Sequence, residues 1–299
     1  MDTRTTSSAS LCLLTVHAHP DDEASKGSGT VAKYSAEAVR TVLVCCTGGE
    51  AGEVLNKKMD LPGVLERLPA IRMEELKASA AILGYTAMHL LGYHDSGMPD
   101  TEWNHRPDNF ANAPLEEATE RLVKIIRAER PQVIVTYPED RQFYAHPDHI
   151  RVYEVSVAAF DAAGDGRRFP EAGEPWQPLK LYYTGGMMSR ERLEALEPVF
   201  EAHGLENPFV RWRERWKERG MPEERRATTR IDVGEYLPQR RASLLAHQTQ
   251  IDPDGHWLRL PDEALRTAYP FEEFELVRSL IENQVSEGEL ETDLFAGLR

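Results

Sequence analysis

Five short apolar runs, at 11–16, 41–46, 88–91, 132–137 and 180–183, alternate with helix-length segments, and few architectures accept that alternation. A strand that pairs in parallel with an earlier one needs a crossover of a dozen residues or more, which a helix supplies. The runs are apolar without a period of two, as in strands covered on both faces. The segments between them read as helices at 30–38, 67–83 (with Pro69 in its first turn), 115–130 and 149–162. In the third of these, Leu115, Ala118, Leu122, Val123, Ile125 and Ile126 fall on one side at helical spacing. The pattern predicts an α/β fold with a mostly parallel sheet flanked by helices.

Beyond residue 185 the pattern loosens. Stretches 189–203 and 235–248 read as helices, and 229–233 and 274–277 as strands. Stretch 210–226 is arginine-rich, with Trp212 and Trp216 four residues apart, and reads as a solvated helix packed on the body or a wall over a substrate site. The expected organisation is a disordered tail at 1–10, a catalytic core at 11–185, a lobe over the strand ends at 186–285 and a loose tail at 286–299. With 299 residues, 41% of them hydrophobic, the chain can bury a core of that size.

Fifty acidic residues against 35 basic ones give a net charge of -15, which repels phosphate backbones and argues against nucleic acid as a partner. The run at 11–16 is far below the roughly 20 residues a membrane-spanning helix needs, and no cleavage signal follows it. Cys12, Cys45 and Cys46 are an odd set without framework spacing, which points to a reducing compartment and a cytoplasmic protein.

Ligands of open α/β sheets bind beyond the carboxyl ends of the strands, and three polar clusters fall there. His17-Ala18-His19-Pro20-Asp21-Asp22-Glu23 follows the first run, and Tyr144-Ala145-His146-Pro147-Asp148-His149 follows the fourth. The weaker Thr47-Gly48-Gly49-Glu50-Ala51-Gly52-Glu53 follows the second. Pro147 suits the first position of a helix with His146 near its cap, which sets His146 and His149 on one face. Two His/Asp groups on separate strand ends can converge on one point, and a catalytic zinc takes three N or O ligands with one position open. By strand alternation His17 shares the side of His19 and is expected to orient a ligand.

The stretches Ala-His-Pro-Asp-Asp-Glu at 18–23 and His-Pro-Asp-His at 146–149 resemble the paired signatures of the LmbE-like (PIG-L) N-acetylglucosamine deacetylase superfamily. Within it the chain is most similar to the mycothiol S-conjugate amidases, with the mycothiol-biosynthetic deacetylases next. The resemblance implies His19, Asp22 and His149 as ligands of one Zn2+ per chain, with Fe2+ an alternative in the cell. It implies Asp21 as the general base, and His146 and Tyr144 as donors to the developing oxyanion, His146 also as an acid. Asp148 would set the charge of His146. Glu50, Glu53, Arg72 and Asp95 match positions that face the glucosamine-inositol moiety. Lys26 matches a lysine of the amidase-like members, where the biosynthetic deacetylases carry a small residue.

The sequence thus predicts a Rossmann-like, zinc-dependent amide hydrolase with a small-molecule substrate, and it sets no oligomeric state. The expected reaction is hydrolysis of mycothiol S-conjugates to glucosaminyl-inositol and an acyl-cysteine conjugate in detoxification. Its rivals are deacetylation of N-acetylglucosaminyl-inositol and a catalytically silent sugar-binding protein. A nucleotide-binding protein is disfavoured, because no Gly-x-Gly-x-x-Gly follows the first run.

Overall fold

The computed structural model describes residues 10–141, 144–184, 189–210, 213–214, 217, 227–255, 258–282 and 288–299. Five strands form the parallel part of the sheet: β1 (Cys12–His17), β2 (Arg40–Thr47), β3 (Ala87–Tyr93), β4 (Val133–Thr136) and β5 (Lys180–Thr184). Two later strands, β6 (Thr229–Asp232) and β7 (Phe271–Ser279), extend it, and the order across the sheet is β3-β2-β1-β4-β5-β7-β6. All pairings from β3 to β5 are parallel, and those of β7 with β5 and β6 are antiparallel. Chain order reverses between β1 and β4, so a crevice opens beyond their carboxyl ends.

The helices are α1 (Asp22–Ser25), α2 (Ser28–Ala36), α3 (Leu68–Leu83), α4 (Leu115–Glu129), α5 (Pro147–Ala163), α6 (Arg190–Ala202), α7 (Leu237–Ala246) and α8 (Asp262–Ala268). Their ends follow local chemistry. Pro69 opens α3, and Gly84 closes it at φ 80°, a left-handed conformation open to glycine without strain. Alternation along the strands divides the core. Leu14, Val16, Val42, Val44 and Ile134 pack with Leu122, Ile126, Val152 and Val155 of α4 and α5. Leu13, Val133, Val135 and Tyr182 pack with Tyr34 of α2, Leu196 and Phe200 of α6, and Leu294 and Phe295 near the end of the chain.

Four expectations change. The run at 88–91 is an edge strand, half-exposed and with Leu90 open to solvent, not a strand covered on both faces. Residues 262–268 form a helix that the sequence pattern did not suggest. The stretch expected as a loose tail is tied down over residues 289–299. Leu294 and Phe295 are fully buried, and Glu291 accepts from Lys180 Nζ (2.7 Å), Tyr182 Oη (2.7 Å) and Thr229 Oγ1 (2.8 Å). A buried carboxylate with three donors anchors a segment that composition alone reads as polar and loose. Finally, β6 and β7 continue the main sheet, while α7 packs against α1, α2 and α3, and Ile251 and Leu258 pack against Ala24 of α1. The tail at 1–9 and Trp212 and Trp216 lie outside the described residues. Among the described residues no helix is long and apolar enough to cross a membrane.

Candidate metal centre and active site

Beyond His17 the chain makes a tight turn into α1, and this turn places His19, Asp21 and Asp22 over the crevice. Asp21 adopts φ 110°, a left-handed conformation that a residue with a Cβ reaches only under strain. Across the crevice, Tyr137 follows β4 and His146 caps α5, its Nδ1 accepting the Asp148 N–H at 3.2 Å. His149 lies one turn into α5.

His19 Nδ1 and His149 Nε2 each lie 3.4 Å from Asp22 Oδ2. These three side chains, all buried, bring one ligand atom each within 4.8 Å of one another. Buried His149 Nε2 has no hydrogen-bond partner among the described residues, which fits a nitrogen that donates its lone pair to a cation. On its other edge His19 Nε2 faces Asp148 Oδ2 (3.1 Å) and Asp95 Oδ1 (3.5 Å). Those carboxylates have their own donors: Ser96 N–H and Oγ on Asp148, and Gly97 N–H on Asp95 at 2.8 Å. His19, Asp95, His146 and Asp148 form a second group close enough to hold a cation. The first group fits better, because Asp148 behind His19 reproduces the carboxylate–histidine pairing that orients a metal ligand. Three buried carboxylates around His19 also need positive charge in the site.

The charge states suit this division of labour. Burial would raise the Asp22 carboxyl, but Lys26 and His149 outweigh it and hold the group well below the usual carboxylate range. Burial, helped by the charge of Asp22, pushes Asp21 up despite Arg72, as suits a base that must gain a proton. Burial lowers His149 to about 3 and His146 to about 4, leaving both imidazoles neutral near pH 7. Because His146 Nδ1 accepts a backbone N–H, its proton sits on Nε2.

Of the residues singled out from sequence, all but Glu50 and Glu53 gather here. Lys26 Nζ is hydrogen-bonded to Asp22 Oδ1, and half-exposed Tyr144 packs its ring 4.9 Å from that of His149. Glu50 sits one bond away, accepting the Asp95 N–H at 2.9 Å and lining a cavity of about 300 Å³ with Thr47, Tyr93 and His94. Glu53 is exposed, and among the described residues it is tied through its main-chain carbonyl to Gln250 (3.0 Å).

Three residues sit differently from expectation. Arg72 is sealed behind the turn, donating to Gly49 O (2.9 Å), Pro20 O (2.7 Å) and Asp21 Oδ2 (3.1 Å), so it grips the Asp21 carboxylate instead of facing a sugar. Gly49 permits this, since a Cβ there would meet Arg72 Nη1 at 2.2 Å. The Asp148 carboxylate is bonded to His19; it reaches His146 only through its charge, which raises that imidazole but is outweighed by burial and the nearby His19. His17 bonds Tyr137 Oη at 3.1 Å, and the Tyr137 ring packs against His149 (4.6 Å), so its influence on a ligand passes through Tyr137. Sequence reasoning missed Tyr137, Ser96, Ser79 and His247. Ser96 is the neighbour of Asp95, itself singled out from the sequence, but nothing near the other three in sequence marks them.

Comparison with known proteins bears on this site. A family model described as PIG-L, GlcNAc-PI de-N-acetylase, matches residues 14–160. A mycothiol S-conjugate amidase of Streptomyces coelicolor is 42% identical over 294 residues, covering 97% of this chain and 98% of that one. A 1D-myo-inositol 2-acetamido-2-deoxy-alpha-D-glucopyranoside deacetylase of Streptomyces avermitilis is 38% identical over 295 residues, covering 96% and 97%. Among solved structures, the N,N'-diacetylchitobiose deacetylase of Pyrococcus horikoshii superposes with a TM-score of 0.61 at 16% identity. It covers 96% of this chain and 91% of its own, a likeness of fold.

Proposed function

This chain belongs to the PIG-L (LmbE-like) family of amide-cleaving hydrolases, and from that premise we propose that it hydrolyses the amide bond of mycothiol S-conjugates. The products are glucosaminyl-inositol and an acyl-cysteine conjugate, and the setting is detoxification in the cytoplasm. The observation that carries the chemistry is the unpartnered His149 Nε2 beside Asp22 and His19, with Asp21 next in the chain. Likeness along nearly the whole chain to an S-conjugate amidase supports the substrate.

His19, Asp22 and His149 would hold a zinc ion, and ferrous iron suits the same donors. Bound there, the cation would supply Lewis-acid polarisation of the scissile carbonyl. Asp21 takes a proton from the attacking water as the new C–O bond forms. The carbonyl oxygen gains negative charge, and the His146 Nε2–H and the Tyr144 hydroxyl donate to it. Asp21 then passes its proton to the amine as the C–N bond breaks, so one water is consumed and a carboxylate and an amine leave. Asp148 orients His19, and Arg72 keeps the Asp21 carboxylate in place. Lys26, beside Asp22 in the pocket, is placed to meet the conjugated acyl-cysteine part, while Glu50, Glu53 and Asp95 serve the sugar side.

A second reading keeps the same residues and cleaves acetate from N-acetylglucosaminyl-inositol, and likeness to the S. avermitilis deacetylase favours it. Amine release by zinc-loaded protein from a bimane conjugate of mycothiol, beside N-acetylglucosaminyl-inositol, separates them. Faster, chelator-sensitive cleavage of the conjugate supports the amidase, and faster cleavage of the acetylated sugar replaces it with the deacetylase. Release from neither, with zinc bound, leaves a sugar-binding protein.

A further inference from the structure

An aspartate at the start of a helix ordinarily folds its side chain back onto the helix's free N–H groups. Asp21 occupies that position before α1 and makes no such bond. Its carboxylate is turned to Arg72 instead. The turn is held by Glu23, whose Oε2 accepts the Asp21 N–H at 2.9 Å, reaching back as the glutamate of a capping box does but from one residue nearer. Glu23 is in turn held from two distant places. Its Oε1 accepts from Ser79 Oγ on α3 and meets His247 Nε2 at 2.6 Å, just past α7. All three side chains are fully buried, and His247 Nδ1 has no partner among the described residues, so Glu23 is its polar anchor.

The segment carrying His247 is itself braced. Thr249 donates through its N–H (2.8 Å) and Oγ1 (2.7 Å) to Glu75 of α3. Asn56 Nδ2 donates to Gln248 O at 2.8 Å, and Leu55 N–H donates to Thr249 O at 2.9 Å. Beneath the turn, Ala24 packs with Leu244, Ile251 and Leu258 in a small apolar cluster of its own. A strained backbone persists only where its surroundings over-determine it, and here they reach Asp21 from α1, α3 and the segment after α7.

We propose that Glu23, Ser79 and His247 are positioning residues for the reaction: as one buried hydrogen-bonded unit they pin the backbone of the turn at Asp21 and leave its carboxylate free to act. The inference rests on Asp21 being the base. None of the three touches the substrate or a metal ligand's side chain through the bonds above, so their removal lowers turnover while zinc stays bound.

The test measures kcat, KM, zinc per chain and the unfolding midpoint for His247→Ala, His247→Gln, Glu23→Gln and Asp21→Asn, on whichever amide the wild type cleaves faster. His247→Ala and Glu23→Gln are expected to lower kcat about 10- to 100-fold, the scale of a displaced reacting group, with KM and zinc content within about twofold. His247→Gln, whose amide can still donate to Glu23, recovers most of the loss. Glu23→Gln keeps the side-chain shape and carries the test if His247→Ala does not fold. Wild-type kcat in folded, zinc-loaded His247→Ala and Glu23→Gln, with Asp21→Asn inactive, overturns this inference alone. An active Asp21→Asn overturns both the base assignment and this inference.

Discussion

The parallel half of the sheet and its antiparallel extension serve the site by different means. From β1 to β5 every strand points the same way, so loops separated by more than a hundred residues open on one edge, and His19, Asp22 and His149 meet there. The extension, β7 and β6, contributes no member of that cluster. The chain around it instead supplies supports, with His247 behind Glu23 and the 289–299 segment packed under α2 and β5. The contrast teaches that the chemistry comes from two short clusters at strand ends, while its rigidity comes from many scattered residues.

The largest effect expected of this division is on metal binding. His149→Ala removes one of three ligands, and zinc affinity should fall by more than the roughly 10- to 100-fold typical of losing an outer support. Competition against a chelator measures it. Retention of wild-type affinity would move the cation to the group of His19, Asp95, His146 and Asp148. Next comes Asp21→Asn, which should lower kcat by about 10²–10⁴-fold while zinc remains bound.

In the other region, Phe295→Ala should cost about 3–5 kcal/mol of stability, the range for truncating a fully buried aromatic, and leave the kcat of folded protein unchanged. Urea unfolding beside steady-state kinetics checks it, and a matching loss of kcat would erase the distinction between chemistry and support. A smaller effect follows from protons. Burial lowers His17 and His146 to about 4 and His149 to about 3, from an ordinary 6.5. Below that ordinary value the unfolded chain binds protons that the folded one refuses, so metal-free protein should lose stability as pH falls from 6.5 toward 4. A flat stability curve over that interval would show these imidazoles to be better solvated than their burial implies. Smallest is Lys26→Ser, expected to shift the ratio of kcat/KM between the mycothiol conjugate and the acetylated sugar by about tenfold. An unchanged ratio would remove Lys26 from substrate choice.

Much of this was legible in the chain. Continuous apolar runs and helical periods report burial within a few residues, and all seven strands lie near where those patterns put them. The two clusters were legible because a parallel sheet keeps ligand-bearing residues at strand ends, adjacent in sequence. What was not legible depends on which distant surfaces meet. Arg72 reads as a helix residue open to a ligand, and only the approach of Gly49 and Pro20 seals it behind Asp21. Asp148 looks like a neighbour of His146, yet the helix geometry of α5 turns its carboxylate to His19. The terminal stretch looks polar until Glu291 finds Lys180, Tyr182 and Thr229.

By itself, then, the sequence determined the α/β architecture and the strand ends at which its histidines and carboxylates cluster, since the first follows from short-range periodicity and the second from where the apolar runs stop. Tertiary structure alone decided which nitrogen of His19 faces which carboxylate, why Asp21 is free of its own helix, and that a histidine 224 positions after Glu23 helps hold it so. Those are contacts between surfaces brought together by packing, and no local pattern encodes the partner a buried polar group will find.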